Sequence, residues 1–165
     1  MELNFIPKLS SILFQKLRLL YPVQKQNMNA IIRNTIAVVV GCIVGGCLNL
    51  EIVMNSSFFV PPPPGADLTT SQGLKAAMHL MHPIHFLMPF LAHALGTLAG
   101  AYTGALIAAS HKMKIALGIG AITLAGGIAS VFMLPSPLWF TVLDLGLAYI
   151  PFAYMGGKIA LKGKA

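Results

Sequence analysis

Residues 84–110 read IHFLMPFLAHALGTLAGAYTGALIAAS, 27 positions without a single Asp, Glu, Lys or Arg. The hydrocarbon core of a bilayer is about 30 Å thick and takes roughly 20 apolar residues of α-helix to cross, so this stretch is long enough to span it. Within it Gly96, Gly100 and Gly104 step by four, with Thr97 beside them, which makes one helix face small enough for another backbone to approach closely. His82, His85, Pro89 and His93 lead into the same face at steps of three or four. Pro89 is expected to kink the helix and to free the carbonyl of His85.

Three more stretches have comparable length and hydropathy, at residues 35–59, 115–134 and 138–157. The fold class expected is all-α: a polytopic membrane protein whose four transmembrane helices form an antiparallel bundle. Composition agrees, since 56% of the 165 residues are hydrophobic, 9% are charged and the mean hydropathy is +0.78. Soluble domains carry about 25% charged residues, so a soluble domain, a disordered chain and a nucleic-acid module are all excluded. The formal charge of +7 then reports loop orientation. Ten of the 11 basic residues (Lys8, Lys16, Arg18, Lys25, Arg33, Lys112, Lys114, Lys158, Lys162 and Lys164) fall on one side, against Lys75 alone on the other. Both termini are therefore expected in the cytoplasm, with the chain in the inner (cytoplasmic) membrane.

Residues 1–29 form a separate segment, in which Leu9, Ile12, Leu13, Leu17 and Leu20 recur at helical spacing with Lys8, Lys16 and Arg18 nearby. That pattern fits a cytoplasmic amphipathic helix lying at the membrane surface, ended by Pro22. Met28 is an alternative start for the chain. Residues 30–165 are the membrane domain, with an outer Pro-rich loop and short helix over residues 60–83. Pro61, Pro62, Pro63 and Pro64 stiffen that loop, and Thr69 with Gln72 has the spacing of a capping box at the start of the short helix. Pro135, Ser136 and Pro137 leave the third and fourth spans joined by a connection so short that they must be neighbours. Gly41, Gly45 and Asn49 step by four in the first span, Gly120, Thr123, Gly127 and Ser130 recur in the third, and Thr141, Asp144, Ala148 and Pro151 in the fourth. Cys42 and Cys47 sit five apart, a spacing of neither a redox pair nor a zinc site.

Chemistry is concentrated in a few intramembrane polar residues. Asp144 and His93 lie roughly 10 and 13 Å from the outer ends of their spans, and Glu51 between about 5 and 13 Å. An acid at the bilayer centre costs about 2.5 to 3.5 kcal/mol on insertion scales, so Glu51, His93 and Asp144 are expected to satisfy one another as a polar cluster, with Asn49, His85, Thr97 and Thr141 as further lining. Glu51 and Asn49 point about 160° apart around their helix, which gives that helix two polar contacts and favours an oligomer. His79, His82 and His85 are candidate metal ligands at weak spacing. No motif for hydrolysis, phosphoryl transfer or nucleotide binding is present, and no cofactor is indicated. The function expected is a non-catalytic structural or accessory subunit that packs through Gly41, Gly45, Gly96, Gly100, Gly104, Gly120 and Gly127 and assembles as a homo-oligomer or in a larger complex. Proton- or cation-coupled transport through Glu51, His93 and Asp144, or metal binding by the outer histidines, is the alternative.

The topology is testable by cysteine labelling in a variant whose Cys42 and Cys47 are alanine. Single cysteines at Ser71 and Ser136 should react with an impermeant reagent added outside, and one at Lys162 should not; the reverse pattern would invert the orientation.

Overall fold

A computed structural model describes residues 5–134 and 136–162, giving for residues 5–28 the helical path of the backbone only. Among the described residues there are helices and no strands: α1 (Phe5–Met54), α2 (Ser56–Phe59), α3 (Ser71–Ala77), α4 (Leu87–Ile107), α5 (Lys112–Met133), α6 (Leu138–Leu147) and α7 (Ile150–Lys162), with 3-10 turns at Met78–Leu80 and Pro83–Phe86. Four stretches are long and apolar enough to cross a membrane, Asn29–Met54, Pro83–Ile107, Lys112–Met133 and Leu138–Lys162.

The boundaries differ from the expected ones where polar side chains or prolines intervene. The helix does not stop at Pro22, since α1 is continuous from Phe5; proline removes one backbone hydrogen bond, and here it does so within an unbroken helix. The expected apolar face at Leu9, Ile12, Leu13, Leu17 and Leu20 lies outside the described side chains. The first span ends at Met54 rather than residue 59: the N–H of Asn55 still bonds the carbonyl of Glu51 at 3.1 Å, but that of Phe58 bonds the carbonyl of Asn55 at 3.1 Å, a step of three rather than four. Pro89 makes no kink. It falls in the first turn of α4, just after the 3-10 turn Pro83–Phe86, a position where proline is tolerated. The short helix is capped one residue later than expected: Thr70 accepts the amide N–H of Gly73 at 2.9 Å, because Thr69 is already engaged. Its N–H and hydroxyl both donate to Asp67 Oδ1, at 2.8 and 2.6 Å, and these bonds hold the exposed carboxyl of Asp67 below its ordinary range.

Helix α4 is the axis of the molecule and touches α1, α5, α6 and α7. Its buried residues are all small: Ala92, Ala94, Gly96, Thr97, Gly100, Ala101, Gly104 and Ala105. Against α1 the contacts run in opposite sequence order, Gly41 meeting Gly100 and Gly104, Gly45 meeting Gly96 and Gly100, and Asn49 meeting Gly96. A Cβ on Gly45 would lie 2.7 Å from the carbonyl oxygen of Gly96, and one on Gly100 would lie 2.6 Å from that of Gly41. Only glycine permits that approach. Helix α7 packs on α4 through Gly156, against Leu98, Ala101 and Tyr102, and on α5 through Gly157, which meets Met113 and Ala116, while Gly120 of α5 receives Ala153.

The lysine end of α4 is closed by side chains of α1. Arg33 Nε donates to the carbonyl of Ile107 at 2.7 Å, and Asn34 accepts the backbone N–H of Ala109 at 2.9 Å while its amide donates to Ser110 Oγ at 3.0 Å. The last carbonyls of a helix have no partner within it, and a cation there also opposes the helix dipole.

Gly100→Leu should cost about 1–3 kcal/mol, the usual range for overpacking a tight contact, whereas Gly118→Leu should cost little, since nothing lies within 4 Å of a Cβ at Gly118. Thermal unfolding in one detergent measures both. Equal stabilities would place the α4 glycines on a lipid face.

Candidate functional site

Asp144 sits near the end of α6, and the fourth span breaks immediately after it. Pro151 has no N–H to give to the carbonyl of Leu147, the bond a continuous helix would make, and Ala148 and Tyr149 form a turn between α6 and α7. Residues five apart on a straight helix point about 140° from each other. The turn brings them together instead: the Tyr149 hydroxyl donates to Asp144 Oδ2 at 3.2 Å. Tyr149 fits because its ring lies where a side chain on Gly127 would be.

From α4, His93 Nδ1 lies 2.9 Å from Oδ1 and 2.9 Å from Oδ2 of Asp144. Its ring stacks on Tyr149 with centroids 5.5 Å apart. The Asp144 side chain is 6% exposed and that of His93 25% exposed. A buried carboxylate is costly unless paired and hydrogen-bonded, and both of its oxygens are met here. His93 meets the carboxyl through Nδ1, which leaves Nε2 outside that contact. Among the described residues no buried side-chain nitrogen or oxygen lacks a partner.

Two cavities meet at this group. One, of about 260 Å³, lies toward the 55–86 connection, bounded by Leu74, Met78 and Met81 above and by His93 and Asp144 below. The other, of about 230 Å³, extends between α1, α4 and α5, with Cys42, Asn49, Thr97, Thr123 and Tyr149 in its wall. His93, Gly127 and Ser130 line both. Toward the lysine end the second is followed by close packing at Gly41, Gly100 and Gly104 around the fully buried Ile119. Thr97 Oγ1 donates to Thr123 Oγ1 at 3.3 Å.

The remaining candidates fall elsewhere. Glu51 does not join His93 and Asp144: it is exposed, its Oε1 accepts from Asn55 Nδ2 at 2.9 Å, and with α1's span ending at Met54 it lies only about 5 Å from that end. The reason is rotational. Asn49 faces Gly96 of α4, and Glu51 points away from it. Thr141 is also outside the group, its hydroxyl 2.9 Å from Ser136 Oγ at the start of α6. His85 is the exception: it lines the first cavity with His93 and Asp144, while its Nδ1 accepts the backbone N–H of His82 at 3.0 Å and caps the turn before α4. His79 is exposed. Among the described residues no three His, Cys, Asp or Glu side chains are grouped so as to hold a metal ion. Tyr149 and Ser130 belong to the site's surroundings without having been singled out as such in the sequence; Pro151, seven residues after an intramembrane Asp, was the available signal for Tyr149.

Comparison with protein families, with characterised proteins and with solved structures finds no match to this chain.

Because His93 and Asp144 share their hydrogen bonds, His93→Gln and Asp144→Asn should be non-additive by about 0.5 to 3 kcal/mol in a double-mutant cycle. Glu51→Gln and Asp144→Asn should add. Coupling of Glu51 to Asp144 would return Glu51 to the cluster.

Proposed function

We propose that the chain is a small multi-pass protein of the inner (cytoplasmic) membrane, an antiparallel bundle of four spans with both termini in the cytoplasm and an amphipathic helix on that surface. In this reading it is a non-catalytic accessory subunit, working in a homo-oligomer or a larger membrane complex. The observation that carries it is the self-sufficiency of Asp144: the acid buried in the fold has both oxygens satisfied within the chain, by His93 and Tyr149. A satisfied buried network fixes one arrangement of the helices. Close packing of α1, α4 and Ile119 below the second cavity supports a closed body rather than a pore. The exposed apolar side of α1, with Ile32, Ile36, Val39, Ile43 and Leu50, suits lipid or a partner chain.

One observation favours proton or cation passage as the second reading: His93 lines both cavities, the position a relay would occupy.

Asp144→Asn in proteoliposomes separates the two. A structural subunit should carry no proton or cation flux above that of empty vesicles, in wild type and variant alike. Flux in the wild type that disappears in a folded Asp144→Asn protein would establish translocation and overturn the accessory role.

A further inference from the structure

The cavity between the short helix and His93 has the composition of a ligand site. Its apolar walls include Phe86, Phe140, Met78, Met81 and Val53, its polar lining is His85, His93, Ser130, Ser136 and Asp144, and no Lys or Arg lines it. Aromatic and methionine side chains suit a flat ring, the first by edge and face contacts, the second by adapting to its outline. A cavity of about 150 Å³ in a protein interior is enough to hold benzene, and this one measures about 260 Å³. That is room for one or two fused rings.

The polar end of the cavity is specific about what it accepts. Asp144 engages Nδ1 of His93, and Nε2 makes no hydrogen bond among the described residues. Since none of the buried side-chain nitrogens or oxygens there is unpartnered, Nε2 retains accessible surface, and His93 borders the cavity. A hydroxyl suits that nitrogen, because it can both donate and accept. An anion is disfavoured, because Asp144 stands beside His93 and no Lys or Arg lines the walls to neutralise a carboxylate or phosphate. Position excludes a phospholipid headgroup: His93 is ten residues into its span from Pro83, roughly 15 Å along the helix, whereas headgroups lie at the surface.

We propose that this cavity binds a compact, neutral aromatic alcohol drawn from the bilayer, its rings between Phe86, Phe140 and the methionines and its hydroxyl hydrogen-bonded to Nε2 of His93. The short helix α3 and its following turn form the roof, through Leu74, Met78 and Met81. The site makes this chain a receptor for a membrane-soluble phenol, a role that an accessory subunit and a transporter could each carry.

The test uses the full chain in phospholipid nanodiscs, with empty nanodiscs subtracted, and titrates 2-naphthol, naphthalene and 2-naphthoate by calorimetry. Saturable one-to-one binding of 2-naphthol is expected, with naphthalene at least about tenfold weaker for want of the buried hydrogen bond and naphthoate weaker still. His93→Phe keeps the volume and removes the ring nitrogens, so it should bring 2-naphthol down to the level of naphthalene. Met78→Trp fills the roof without touching His93 or Asp144 and should abolish binding of both, which keeps the proposal testable if His93→Phe does not fold. Equal affinities for 2-naphthol and naphthalene would reject the polar end of the site. Undiminished binding in Met78→Trp would place the ligand elsewhere, and a co-purified phospholipid that 2-naphthol does not displace would make an acyl chain the occupant.

Discussion

Lipid gives a helix nothing for burying a leucine, because the tails are as apolar as the side chain, so association rests on how closely backbones can pack. In this protein the decisive contact is the crossing of α1 over α4, where the carbonyls of Gly41 and Gly96 occupy the space that side chains on Gly100 and Gly45 would need. Much else follows from that crossing. It puts Asn34 within reach of the end of α4, turns Asn49 inward and leaves Glu51 outward. It also explains why Ile119 is the one large side chain that is fully buried among the described residues: the interior is mostly backbone, Ala and Gly, with little volume left for anything larger.

The second constraint is electrostatic. A carboxylate in the fourth span requires partners, and it meets them where the span's own backbone is interrupted. Pro151 withholds one N–H, the helix turns at Ala148 and Tyr149, and the same turn that exposes backbone polarity delivers a hydroxyl to the acid. His93 completes the arrangement from α4. Irregular backbone at membrane depth is tolerated where protein or a cavity surrounds it, and Tyr149 is 2% exposed.

The spans and the glycine faces were legible in the sequence because both depend on short-range patterns. Roughly twenty apolar residues cross a bilayer whatever their neighbours, and Gly41, Gly45, Gly96, Gly100 and Gly104 advertise close approach by their spacing. His93 and Asp144 were readable as partners from their similar depth. Glu51 was not separable from them, since its depth depends on where α1 ends, and the stretch expected to span continues past that end to Phe59. Tyr149 was hidden for a different reason: its approach to Asp144 requires a broken helix, and helical periodicity presumes an intact one. The Arg33 and Asn34 caps pair with residues more than seventy positions away, a distance over which no local pattern carries information.

The smallness of the α4 interface has an entropic side. Alanine and glycine surrender no rotamers when buried, whereas methionine surrenders several, at up to about 2 kcal/mol per side chain. The lysine half of the molecule is assembled from Gly41, Gly100, Ala101, Gly104, Ala105 and Ala116, so it is stiff at almost no conformational cost. The opposite half, beneath α3, is walled by Met78, Met81 and Leu74, side chains with more rotamers to lose. The entropic cost of packing therefore falls unevenly along the molecule, least where Gly and Ala meet near the lysine end and most beyond His93.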